Sequence, residues 1–403
     1  MGRSRLPLAF VVTVAAAAVA TYLLRPRGGL IEPAPVHAQQ YFTAFQLDRA
    51  EDFRGLQRVL GLAGLGIGIA TLAVLAWQPP RRLLARLEGR PLLGGAAAGA
   101  GISLVLVVTG LPVSAWTRSR ALDVGLATQS WPDWAVDVVK AAAIGAVTAA
   151  IGGLVAMALV RRFPRRWWAP AAVLVLAYGV VTIWLYPIVI DPVFNRFDRL
   201  PPGKLRSDVL QLADRARVDV GEVYRVDASR RTSAANAYVN GLGHSKRVVL
   251  YDNLIDDFSP GEVRTVVAHE LGHQKHDDLL RGLAWLAIVA PAGMYLVQGL
   301  AERMGPRGRL GTPAGLPAIA LAIAVVSLGV GCASNVLSRK VEASADSFAL
   351  RLTHDPKDFV GFQRRISVRN VGDPDPPGWY QALFGTHPTT LDRIGAGVSF
   401  ESK

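Results

Sequence analysis

Long apolar blocks alternate with short arginine-rich ones along most of this chain. Seven stretches, at about 6–24, 59–77, 91–116, 141–160, 167–190, 282–301 and 310–338, contain no charged residue. Each is close to or longer than the roughly 20 residues a helix needs to cross a bilayer. A water-soluble core has no need of so many uncharged windows, so the pattern predicts seven membrane-spanning helices. Gly94, Gly95, Gly99 and Gly101 crowd the third stretch and predict close helix packing there. Arg3 and Arg5 precede the first as in a signal peptide, but its apolar part is long and no cleavage site follows, so it reads as an uncleaved anchor. Two polar regions remain, 191–281 and 339–403, and only these are large enough to make an extramembranous domain. The expected order is five spans in 1–190, a polar domain in 191–281, spans six and seven in 282–338, and a second polar part in 339–403. The Pro/Gly-rich piece Asp373–Gly378 reads as a surface loop.

Composition sharpens this picture. Hydrophobic residues make up 51% of the 403, and the net charge of +13 comes almost wholly from 37 arginines against seven lysines. The bias toward arginine suits a bacterial genome. The basic residues are scattered between apolar segments and form no stripe, which argues against nucleic-acid binding and for loops flanking a membrane. The single cysteine, Cys332, lies in an apolar run, so an intrachain disulfide and a cysteine-based zinc site are both excluded.

The chemistry begins at Ser259. A capping Ser, Pro260 at the first helical position and Glu262 three residues after the cap together predict a helix start. Within that helix comes His269-Glu270-Leu271-Gly272-His273. Positions i and i+4 share a helix face about 6 Å apart along the axis, so two imidazoles there can share one tetrahedral zinc. Glu270 beside them can take a proton from a metal-activated water without ligating the metal. A zinc hydrolase needs a third protein ligand, and Glu342 is the candidate. Asp346, again at i+4, can accept the free N–H of a ligating histidine. Alone, such a Glu/Asp pair is usually a solvated helix face; topology changes that reading. The His helix feeds into the sixth span and the seventh feeds into the Glu helix, so an antiparallel pair of spans returns His273 and Glu342 to one membrane face, each on the order of 10 Å outside the boundary.

These residues resemble the Ste24-type CAAX prenyl proteases of the M48 peptidases, most clearly from Tyr186 to Ile394. Glu342-x-x-Ala345-Asp346 is similar to the family's third-ligand helix, and Asn236-Ala237-Tyr238 with Lys246–Tyr251 to its active-site edge strand and the strand that follows. Gly385-Thr386-His387-Pro388, with Arg393 and Ile394, is similar to its C-terminal motif. The resemblance implies a zincin-like domain with a small β-sheet, one zinc per chain, a hollow helical chamber, and a peptide or protein substrate associated with the membrane. It also implies that Asn236 and Tyr238 meet an extended substrate, that His387 assists the oxyanion, and that Arg393 orients a carboxylate of substrate or protein. His276 reads as an interfacial neighbour of the zinc face, while His37, His244 and His354 have no partner pattern.

Other classes fit less well. A seven-span receptor or transporter would carry ionisable residues inside its spans. An intramembrane protease would bury the zinc helix, yet Lys275, Asp277 and Asp278 surround this one. A quality-control peptidase similar to the HtpX proteins shares the chemistry but has fewer spans. Orientation draws on two opposed signals. Short segments on the N-terminal side, from Arg3 to Arg309, hold 13 basic residues against eight on the other, which places the zinc face outside the cytoplasm. The resemblance implies a cytosolic catalytic face, and that is the expectation carried forward.

Overall fold

The computed structural model describes residues 5–240, 246–306 and 308–402; Arg3, His244 and Arg307 lie outside the described residues. Helices α1 (Arg5–Leu24), α2 (Ala44–Trp77), α3 (Arg81–Leu87), α4 (Pro91–Asp123), α5 (Trp131–Arg162) and α6 (Trp168–Leu185) come first. A π-helical turn, Tyr186–Ile190, and the short α7 (Asp191–Phe194) follow α6. The polar region then gives β1 (Phe197–Arg199), α8 (Lys204–Ala216), β2 (Glu222–Val226), β3 (Ala237–Asn240), β4 (Arg247–Tyr251), α9 (Asp252–Asp257) and α10 (Pro260–Lys275). The chain finishes with α11 (Asp278–Met304), α12 (Leu316–Thr353), α13 (Pro356–Arg369), α14 (Gly378–Phe384) and α15 (Thr390–Glu401).

Among the described residues seven helices are long and apolar enough to cross a membrane, and they coincide with the seven charge-free stretches. Several run well past the apolar window. Helix α2 starts 15 residues ahead of its window, at Ala44 instead of 59, behind a reciprocal Thr43–Gln46 cap. Helix α12 carries the chain without a break from the seventh span to Thr353. Helices α4 and α5 pack through glycines. A Cβ on Gly95 or Gly99 would collide with Gly153 or Ala149 of α5, whereas one on Gly101 meets nothing within 4 Å. Three of the four crowded glycines thus serve packing: Gly94 meets Leu87 and Pro313, and only Gly101 faces open space.

The four-stranded sheet runs β1-β2-β4-β3, with β2 and β4 parallel and the outer pairs antiparallel. Strand β3 is therefore an edge. Alternation along it sends Ala237 and Val239 toward the core shared with Val263, Val267 and Leu271 of α10, and Tyr238 toward the opposite face with Phe197, Tyr224 and Tyr251. The same core takes in Ala349, Leu350, Phe359 and Ala396, so residues before the sixth span and after the seventh share one interior. The link between α1 and α2 crosses this unit: Ile31 N–H donates to Ser347 Oγ (3.0 Å) and Ala34 N–H to Gly395 C=O (3.0 Å).

Candidate metal centre

Helix α10 starts where its sequence says it should: Ser259 Oγ accepts from Glu262 N–H (3.2 Å) and Glu262 Oε2 from Ser259 N–H (2.8 Å). It ends at His276, and Asp277, with left-handed backbone (φ 51°), turns the chain into α11. Helix α12 packs against both α10 and α11, and Gly272 lets Ala345 and Phe348 approach closely. His269, His273 and Glu342 meet at this contact, each with a ligand atom facing the others.

The distances fit one small cation. His269 Nε2 and His273 Nε2 lie 3.1 Å apart, His269 Nε2 and Glu342 Oε2 3.2 Å, and His273 Nε2 and Glu342 Oε1 3.5 Å. Tetrahedral zinc with bonds near 2.0–2.1 Å separates its ligand atoms by about 3.3 Å. Both Nδ1 atoms are taken from behind, His269 by Asp346 Oδ1 (2.9 Å) and His273 by Asp278 Oδ2 (2.9 Å), which leaves the two Nε2 lone pairs for the common point. Glu342 Oε2 is buried and has no aligned hydrogen-bond donor among the described residues, although it is close to His269 and His387. Two nitrogens and an oxygen so arranged are a zinc donor set.

The electrostatics agree. Burial works against charge on both imidazoles, yet bonds to Asp346 and Glu342 raise His269 above its ordinary value, and those to Asp278 and Glu342 push His273 up to about 10. The surrounding carboxylates make a potential that favours a cation at this point. Burial also raises the Glu270 carboxyl, against the pull of His269 and His273. The Val239 N–H acts on the Glu270 carboxylate, and Gln274 Nε2, one turn on, donates to Val239 C=O (3.2 Å). These contacts put both main-chain groups of Val239 on the unpaired edge of β3.

The remaining sequence candidates divide. His387 Nε2 reaches to 3.3 Å from Glu342 Oε2, and Thr386 Oγ1 lies 2.8 Å from its Nδ1. Arg393 is bonded to a protein carboxylate: its Nε and Nη2 donate to Asp346 at 2.9 and 2.6 Å. Asn236 is exposed just ahead of β3 and accepts from Ala237 N–H (2.9 Å), while Tyr238 points to the far side of the sheet, with its hydroxyl donating to Asp191 Oδ2 (3.3 Å). His276 sits at the α10–α12 contact, 3.4 Å from Ser344 Oγ and stacked edge-on to Phe348. In the sequence Asp278 reads only as part of the polar surroundings of the motif, and Gln274 and Asp191 carry no pattern that marks them.

Seven spans and a His–His–Glu centre held just outside them define a membrane-embedded metallopeptidase. The chain belongs to peptidase family M48: that family's pattern matches residues 200–397, and the pattern described as CAAX prenyl protease N-terminal, five membrane helices, matches 57–196. It is 31% identical to the uncharacterized metalloprotease YhfN of Bacillus subtilis, over 73% of this chain and 70% of that one. It is 32% identical to the CAAX prenyl protease 1 homolog of Oryza sativa, over 56% of this chain and 55% of that one. The crystal structure of S. mikatae Ste24p shares the fold, with a TM-score of 0.72 at 18% identity across 97% of this chain and 98% of that one. The protein is thus a multi-pass membrane zinc metalloendopeptidase, Ste24-like in architecture.

Proposed function

We propose that the chain cleaves membrane-associated peptides or proteins with zinc on His269, His273 and Glu342, Glu270 as proton carrier and β3 as the strand on which substrate is laid. The convergence of three donor atoms beside Glu270, at the open edge of a sheet, carries this reading. Zinc, when bound, polarises a carbonyl and acidifies water. Glu270 takes the proton of the attacking water and returns it to the leaving nitrogen; its raised pKa suits both halves of that exchange. Thr386 Oγ1 lies 2.8 Å from His387 Nδ1; with the hydroxyl as donor there, the imidazole proton sits on Nε2, from which His387 donates to the oxygen that gains charge. Asp346, gripped by Arg393, and Asp278 hold the two ligating imidazoles in their tautomers.

An extended substrate that pairs with β3 takes over the Val239 N–H and C=O from Glu270 and Gln274, which frees Glu270 for chemistry as substrate arrives. Main-chain pairing reads no particular sequence, so it fits several substrates. Relatives named CAAX prenyl proteases point to lipid-anchored ones, and a fold match across nearly the whole chain favours this over a quality-control peptidase. The two polar regions, 191–281 and 339–403, form the peptidase domain and face the cytosol.

Glu270→Gln separates chemistry from metal binding. It retains about one zinc per chain and loses cleavage by several orders of magnitude, as expected when the general base is removed. Glu342→Ala loses both. Cleavage by Glu270→Gln at the wild-type rate refutes this mechanism. Membrane proteomics of cells carrying wild type or Glu270→Gln then shows which proteins accumulate uncleaved.

A further inference from the structure

A cavity of about 520 Å³ lies on the far side of the sheet from α10, between β3, β4 and the π-helical end of α6. Tyr186, Pro187, Asp191, Tyr238, Asn240 and Tyr251 are among its walls. We propose that this cavity is a substrate subsite that receives a lysine or arginine side chain of the peptide, with Asp191 as its counter-charge. The proposal rests on the reading that substrate pairs along β3.

Strand geometry supplies the place. Tyr238 and Asn240 are two residues apart, so both point to the outer face, while Val239 between them packs inward on the α10 side. A substrate strand added to β3 alternates in the same way. Its inward positions look toward the zinc helix, and every second side chain enters the space bounded by Tyr238 and Asn240. The cavity opens on the sheet face toward which one substrate position in two points.

Chemistry supplies the class. Among the described residues the Asp191 carboxylate has one hydrogen-bond partner, the Tyr238 hydroxyl, and no ion pair within 4.0 Å, with the Arg247 charge acting on it from further off. Arg247, close by, is already committed. Its Nε donates to Asn240 Oδ1 (2.9 Å), its Nη2 to Pro187 C=O (2.9 Å), and its guanidinium lies over the rings of Phe197 (5.3 Å) and Tyr224 (5.4 Å). A half-buried carboxylate with spare lone pairs costs free energy until a cation or donor meets it. The rings of Tyr186, Tyr238 and Tyr251 favour a cation over an anion. Ile183, Val226 and Ala228 give its aliphatic stem an apolar wall.

The test profiles cleavage of a Glu-C-digested proteome peptide library by the full-length protein, as wild type, Asp191→Asn, Asp191→Lys and Asp191→Glu, with zinc content checked in each. Wild type is expected to enrich Lys and Arg at one position relative to the cleaved bond. For the best such peptide, replacing that residue by norleucine lowers kcat/KM about tenfold, the scale of one lost charge pair at a binding surface. Asp191→Asn, which keeps shape and zinc, removes that difference; Asp191→Lys turns the preference toward Asp and Glu; Asp191→Glu restores Lys and Arg. No basic preference in wild type, or one unchanged in Asp191→Asn, overturns the subsite. N-methylation of successive amides in the same peptide separates the two claims. Sensitivity at alternate amides without basic preference removes only the subsite, uniform insensitivity removes strand pairing and the subsite together, and a library left uncut removes both.

Discussion

His273 is held from behind by Asp278, whose side chain is almost fully buried and also pairs with Arg281 on the first turn of α11. The sixth span thereby aims a metal ligand. Asp278→Asn should weaken zinc binding roughly 10–100-fold, the usual effect of removing the carboxylate behind a ligating histidine. Competition against a calibrated chelator measures it, and unchanged affinity would show Asp278 to be a bystander. The ligands themselves were legible, because a spacing of four on a helix is a geometric statement: His269 with His273, and Glu342 with Asp346. Asp278 was not, because the left-handed turn at Asp277 breaks the helical period and only the folded turn brings it behind His273. His387 and Arg393 come from a separate C-terminal segment, and no local period ties them to the centre. The resemblance names both, and in the folded chain the carboxylate that Arg393 meets is Asp346.

At the scale of elements, the α4–α5 contact depends on residues without side chains. Gly99→Leu forces a side chain against Ala149 and Gly153 and should cost on the order of 1–3 kcal/mol. Gly101→Leu, on the open side of the same helix, should cost little. Melting temperatures in detergent compare them, and equal values would contradict the packing described. Strand β3 yields a second expectation. Asn236→Ala should lower kcat/KM and leave zinc in place, because Asn236 adjoins the edge strand and is not among the metal-ligand group; zinc loss would make it structural. The spans were readable in the sequence, since lipid demands apolar side chains over a fixed length. Their ends were not. Hydropathy reports the solvent around a helix, whereas α2 and α12 continue as helices into water, and the π-helical turn after α6, Tyr186–Ile190, is as apolar as the span it ends, so hydropathy does not mark it.

Across the whole molecule, the two membrane helices α11 and α12 bring the two halves of the centre together. Sequence order and span parity are enough to foresee this, while the shared interior of residues 209–271 and 349–396 has no signature along the chain because its contacts join segments far apart in sequence. Orientation is the open geometric consequence. A cytoplasm-active reporter fused after Lys403 should be active, in line with a cytosolic peptidase domain. An inactive fusion beside a working periplasmic reporter would favour the arginine count instead. The central claim, a single zinc centre that does the chemistry, is tested most directly by metal titration of the intact protein in proteoliposomes. Chelation should abolish cleavage, and zinc returned stepwise should restore it in proportion up to about one equivalent per chain, with no recovery in Glu342→Ala. Cleavage that survives chelation, or recovery in Glu342→Ala equal to wild type, would contradict the account.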